Sequence, residues 1–321
     1  MEGRARISMK TQSGKMEIRT RRGLGTVIRR EYPLYILALP AVVYLFIFHY
    51  IPMYGVQIAF KDFVAGKGIS GSVWVGLKHF RRFFSTYMFS RLLTNTLALS
   101  LMQLVISFPA PIILALLLNQ MTNKSFKKIV QTVTYAPHFI SMVVLIGMLT
   151  LFFSPNTGIV NLAISALGGE KIFFMGEAKY FRWMYVFSGV WQSAGWGSII
   201  YLATLSSVDP GLYEAARIDG CSRMGLVLHI DIPSMLPTCV IMFIMNMGSL
   251  MSLGYQKAFL MQNDLNLAVS EIIETYVYKT GLVQSQFSYS AAIGVFTSAI
   301  NIVLLVGANW FSRRVTENSL W

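Results

Sequence analysis

Residues 34–54 read LYILALPAVVYLFIFHYIPMY, twenty-one positions without one Asp, Glu, Lys or Arg. At about 1.5 Å of rise per residue, a helix of this length crosses the roughly 30 Å hydrocarbon core of a bilayer. Five more apolar blocks follow, at about 92–118, 140–153 (approached from Val133), 183–205, 236–253 and 291–311. Periodicity does not separate them, because a helix in lipid is often apolar all round, so length and flanking charge decide. The chain is 55% apolar and only 13% charged, with a mean hydropathy of +0.55. About a quarter of the residues are charged in a typical water-soluble protein. The expected fold class is all-α: a polytopic membrane protein with about six transmembrane helices.

Charge sets the orientation. Nine basic residues precede Glu31 (Arg4, Arg6, Lys10, Lys15, Arg19, Arg21, Arg22, Arg29 and Arg30), and Arg313 and Arg314 follow the last block. With the N-terminus inside, the inner segments carry 16 Lys plus Arg against 10 on the opposite loops. The positive-inside rule therefore places both termini in the cytoplasm, which requires an even number of spans. The expected division is a basic cytoplasmic segment at 1–33, a transmembrane domain at 34–311 and a cytoplasmic tail at 312–321. The basic head is too long, and lacks the small-residue site, for a cleavable signal. The net charge of +13 is accompanied by no folded nucleic-acid-binding pattern, so no nucleic-acid partner is expected. Cys221 and Cys239 fall on an inner loop and in a span, where a disulfide is not expected.

The most informative stretch lies on an inner loop, between the fourth and fifth spans: DPGLYEAARIDGCSR at 209–223, continuing to IPSMLP at 232–237. Asp209 suits an N-cap and Pro210 the first helical position. A short helix is expected from 210 to about 218, ended by Gly220 in a left-handed conformation. A second short helix is expected from Cys221 or Ser222 to about Ile230, with Pro233 and Pro237 setting the start of the fifth span. Such an elbow is a rigid cytoplasmic knob. Ala215 and Ala216 permit close approach of another protein, and Glu214 and Asp219 offer acceptors to a basic groove. An acidic inner loop also runs against the positive-inside trend, which favours a protein over anionic lipid as its partner.

Glu214-Ala215-Ala216, then Asp219-Gly220, Ile232-Pro233 and Pro237, resemble the EAA loop of permease subunits in type I ATP-binding-cassette importers. Cys221 stands where alanine is commoner in that loop, an exchange of one small residue for another. Further blocks resemble the branch that imports oligo- and polysaccharides, alginate importers among them: 48–55, 59–63, 74–80, Thr94-Asn95-Thr96, 135–141, and 191–201 with its Gly195-Trp196-Gly197 centre. The resemblance implies the type I importer permease fold and a bacterial inner-membrane location. It implies half of a translocation pathway, shared with a second homologous permease. The other implied partners are two ATP-binding-cassette ATPases and an extracytoplasmic substrate-binding protein, with a saccharide as substrate. The coupling residues it implies are Glu214, Ala215, Ala216, Asp219, Gly220, Pro233 and Pro237. No cofactor is expected on this chain, because it has no G-x-x-x-x-G-K-[ST] loop; ATP and Mg are expected on the ATPase partners.

A sugar path needs hydroxyl, amide and aromatic groups facing an internal cavity, since polar side chains in hydrocarbon are costly and turn inward. Asn95, Gln103, Gln192, Trp196, Tyr201, Asn246 and Ser249 are candidates, each with interhelical hydrogen bonding or packing as the alternative role. Lys61, Lys67, Lys78, Arg81 and Arg82 in an outer loop suit either an acidic glycan such as alginate or the binding protein. His49, His79, His138 and His229 are scattered without companion ligands, so no metal site is expected. A self-sufficient secondary transporter or channel would carry intramembrane acidic residues or an inverted repeat, and neither is visible. No nucleophile–base pair recurs in the apolar blocks to suggest an enzyme.

Overall fold

A computed structural model describes residues 24–316 and 319–321, with side chains from Tyr32 onward. Most of the basic head expected at 1–33 lies outside the described residues. The chain divides into two units, residues 1–55 and 56–321. In the first, α1 (Leu24–Leu45) starts ten residues ahead of the expected apolar block and passes through a π turn at Phe46–Tyr50 into α2 (Ile51–Met53).

The second unit begins with a small hairpin. β1 (Lys61–Asp62) pairs antiparallel with β2 (Val73–Trp74) around α3 (Gly68–Gly71). At the foot of α4 (Lys78–Phe84) the Asp62 carboxylate accepts from Lys78 Nζ at 2.6 Å and meets His79 Nε2 at 3.0 Å. The Lys78 ammonium holds the Asp62 carboxyl below the usual carboxylate range. A carboxyl depressed on folding stabilises the hairpin above its unfolded pKa of about 3.9, and that contribution disappears as pH falls through the lower folded value. The pair is exposed, so its effect is small. Hydrogen exchange of the 61–74 amides, corrected for intrinsic rate, is expected to rise modestly between about pH 5 and about pH 3. The rise should vanish in Asp62→Asn; an equal rise in that variant would remove Asp62 as its cause.

The membrane part follows. α5 (Met88–Ser107) and α6 (Pro109–Asn119) form one 32-residue run, Met88–Asn119. Pro109 and Pro111 mark the joint without a sharp bend. α7 (Lys124–Tyr135) and α8 (Met142–Phe152) meet at 103°, so the third block is a bent pair, not a straight span starting near Val133. Pro137 and an extended Ile140 explain the break, since proline and its neighbourhood cannot continue the hydrogen-bond ladder. α9 (Ile159–Ala166) leads to α10 (Ala178–Ser206), which contains the fourth block.

α11 (Pro210–Ile218) and α12 (Arg223–Leu226) form the elbow. A π turn at Val227–Asp231 then runs without interruption into α13 (Ile232–Met247). The second arm of the elbow is therefore the start of the fifth span, a single run from Arg223 to Met247. The helix does not end near Ile230 because the π turn at Val227–Asp231, closed by Ile232 N on Val227 O, carries it past Pro233. α14 (Tyr255–Met261), α15 (Leu267–Ser270) and α16 (Ile273–Tyr278) fold back against α8, α10 and α5, and α17 (Phe287–Thr316) closes the chain.

Among the described residues, four runs are long and apolar enough to cross a membrane, or five if the bent pair is one span. α10 is 29 residues long but has a Gly-, Ser- and Trp-rich middle, and it is the hub of the packing, touching α5, α6, α7, α13 and α15. In lipid, helices associate through close packing of small residues more than through hydrophobic burial. Gly195 illustrates this: a Cβ there would lie 1.9 Å from the Thr134 carbonyl oxygen of α7. Buried clusters sit on either side of this hub. One contains Leu99, Ile146, Phe181 and Tyr185; another holds Ala115, Tyr201, Leu205 and Met235.

Candidate functional site

The elbow is built by local rules. The Asp209 side chain accepts from Gly211 N at 2.9 Å, capping α11. At the other end Gly220 N donates to Arg217 O at 3.1 Å and Cys221 N to Ala216 O at 2.9 Å. This is the paired closure of a left-handed helix terminus, with Gly220 at φ +79°. Ser222 then accepts from Gly225 N at 3.1 Å to start α12.

Glu214, Ala215, Asp219 and Gly220 are exposed, Ala216 is half-buried, and Pro233 and Pro237 are exposed along α13. Neither the Glu214 nor the Asp219 carboxylate has a hydrogen-bond or ion-pair partner among the described residues. Around them Leu212, Ile218 and Met224 present apolar side chains; Ile218 is 86% exposed. Apolar groups ringed by charge are what a protein-docking knob requires. Sequence reading missed these three because a single Leu, Ile or Met carries no signal until the fold shows it exposed on the elbow.

The knob is fastened by one buried carboxylate. Asp231 is fully buried and accepts from Tyr213 OH at 2.6 Å, Gln120 Nε2 at 2.7 Å and Asn119 Nδ2 at 3.1 Å. This joins α11, the inner end of α6 and the head of the fifth span. Burial, and then the bond to Asp231, push the Tyr213 phenol up to about 12, so it remains a donor throughout the physiological range.

The pathway candidates separate into groups. Gln103 and Gln192 line one cavity of about 410 Å³, together with Ser107, Ser193, Gln256 and Lys257. Gln192 Nε2 donates to Ile140 O at 2.8 Å, whereas Gln103 Oε1 is buried without a partner. Asn95 is buried and uses its amide on Ala268 O, Glu271 O and the Arg182 guanidinium, which locks α5 to the 267–271 segment. Tyr201 is packed in a core cluster. Trp196 is half exposed and stacks on His138 with centroids 4.6 Å apart. Asn246 and Ser249 are exposed and bond back to their own helix, at Met242 O and Asn246 O. A larger cavity of about 540 Å³, walled by residues such as Phe152, Trp183, Phe187 and Trp191, is almost wholly apolar and offers nothing to a sugar hydroxyl. No cluster of three or more metal-ligating side chains occurs among the described residues.

Residues 107–317 match the family model described as "Binding-protein-dependent transport system inner membrane component". The chain is 42% identical to Protein LplB of Bacillus subtilis (strain 168), over 92% of each chain. It is 43% identical to the polygalacturonan/rhamnogalacturonan transport system permease protein YteP of the same organism, again over 92% of each. A chain in the crystal structure of a bacterial alginate ABC transporter, in complex with an alginate-pentasaccharide-bound periplasmic protein, superimposes with a TM-score of 0.85. That chain is 35% identical, with 92% of this chain and 99% of that one covered. The chain belongs to the family of inner-membrane components of binding-protein-dependent transport systems.

Proposed function

We propose that this chain forms half of the translocation pathway of an ATP-driven importer for an acidic oligo- or polysaccharide. The observation that carries the transport role is the exposed, internally capped elbow at 209–226, whose Glu214 and Asp219 carboxylates are left without partners. Saccharide as the substrate class is supported by the amide- and hydroxyl-lined cavity of Gln103, Gln192 and Ser193. An acidic glycan is supported by the relatives named for polygalacturonan/rhamnogalacturonan and for alginate.

In this scheme the basic head, the elbow and the tail face the cytoplasm. A second, homologous permease completes the pathway, and a loaded binding protein docks outside. Two ATPase subunits hold ATP and Mg and receive the elbow in a cleft; Glu214, Ala215, Ala216, Asp219 and Gly220 form the contact. Closure of the ATPases moves the elbow. Because α12 continues into α13, that movement is delivered directly to the fifth span, where Pro233 and Pro237 lie.

The test is ATPase activity of the reconstituted complex with and without loaded binding protein. Truncating one partner of an interfacial charge pair costs about 2–5 kcal/mol. Glu214→Ala is therefore expected to reduce stimulation about tenfold or more, or to release the ATPase, while the permease pair still assembles. Full stimulation and transport in this variant would reject the elbow as the coupling element.

A further inference from the structure

Lys257 is a buried lysine that the coupling scheme does not use. It lies on α14, in the segment that folds back between the fifth and sixth blocks, and is only 7% exposed. Its Nζ donates to the Tyr185 carbonyl oxygen at 2.6 Å and lies 4.6 Å from the centroid of the Tyr185 ring. No carboxylate pairs with it among the described residues. A carbonyl and a ring face answer only part of an ammonium with three N–H donors. An unpaired charge in so dry a place is costly, and when it borders a cavity in a membrane protein it marks a ligand path.

The ammonium lies at the wall of the 410 Å³ cavity, against Gly189 of α10: a Cβ on that glycine would be 3.1 Å from Nζ. Gln103 lines the same space, and its Oε1 is buried without a partner. One cavity is therefore walled by a lysine without an anion and by a glutamine whose oxygen lacks a donor. A uronosyl residue carries both missing groups, a carboxylate and hydroxyl donors.

We infer that Lys257, with Gln103, Gln192 and Ser193 beside it, forms a subsite for the carboxylate of a uronosyl residue in transit. The ammonium takes the carboxylate, and the amides take ring hydroxyls. This rests on the acidic-saccharide reading proposed above and assigns its charge recognition to one residue.

The test is equilibrium binding of trigalacturonate and of its neutral methyl ester to the assembled transporter in nanodiscs, without binding protein. Wild type is expected to bind the acid about tenfold or more tightly than the ester, as for a charge-assisted contact. Lys257→Met should bring the two to near equality, and Lys257→Arg should keep most of the preference. Lys257→Gln, which retains a donor for the Tyr185 oxygen, guards against loss of fold and should behave as Lys257→Met. Wild type that binds neither sugar, or prefers the ester, overturns the acidic-saccharide reading and the subsite with it. Wild type that prefers the acid, with the preference intact in Lys257→Gln, overturns the subsite alone.

Discussion

Gly220→Pro is expected to abolish both transport and binding-protein-stimulated ATP hydrolysis, while Gly220→Ala keeps a substantial part of each. Gly220 sits at φ +79° with open space where a Cβ would go. Alanine therefore meets no clash and pays only the left-handed backbone penalty, about 1–2 kcal/mol. Proline fixes φ near −65° and has no N–H, so it can neither adopt the turn nor donate to Arg217 O. The corner between α11 and α12 has to be rebuilt, and the 210–218 arm no longer points where it did. Transport in proteoliposomes and ATPase stimulation, measured on complexes shown to be assembled, decide the matter. Retention of both activities by Gly220→Pro would mean that the angle of the elbow is irrelevant to coupling.

Asp231→Leu is expected to have the second large effect. The lost carboxylate leaves the Tyr213 hydroxyl and the Asn119 and Gln120 amides without their common acceptor. Hydrogen bonds to a charged group contribute about 1.5–3 kcal/mol each, and three share this one. Asp231→Asn rescues the site only in part: it keeps an oxygen for Tyr213 and Asn119 but loses the charge and sets its NH2 against Gln120 Nε2. Tyr213→Phe removes one bond only and should be milder. The complex should melt earlier in the order Tyr213→Phe, Asp231→Asn, Asp231→Leu, and transport per ATP hydrolysed should fall in the same order. Such a loss of transport per ATP would separate a loosened elbow from a lost ATPase contact, which lowers ATPase stimulation itself. Unchanged coupling in Asp231→Leu would show that the elbow is held by other contacts.

The elbow was legible in the sequence because its determinants are local. Asp209, Pro210, Gly220 and Ser222 each act on backbone groups within four residues, and every one of them is found in its expected role. The second arm was read as ending too early. Pro233 looks like a helix breaker in a one-dimensional pattern, yet a π turn just before it, with Ile232 N bonded back to Val227 O, carries the helix through. In the third block Pro137 and the polar His138 and Ser141 lie at the 103° bend, but apolar composition on either side does not report the direction of the two arms.

The cavity was legible only in part. Amides inside apolar blocks drew attention to Gln103 and Gln192, and both line it; by the same criterion Asn95 was chosen, and it is a clamp for the 267–271 segment. Nothing local marks Lys257, because no signal within the 255–278 segment says that it turns back into the protein.

By itself the sequence determined the solvent, the helical class, the cytoplasmic side expected for the termini and the shape of the elbow. These follow from quantities summed along the chain, namely apolar run length and basic-residue placement, or from contacts across a single turn. Which polar groups meet in a cavity, which carboxylate fastens the elbow and where the buried lysine points were decided only by tertiary structure. Each depends on residues 72 to 154 positions apart — Lys257 with Tyr185 and Gln103, Asp231 with Asn119 — brought together by packing around α10. Such contacts are chosen by the close fit of backbones at positions such as Gly195, a property of the folded surface and not of any one segment.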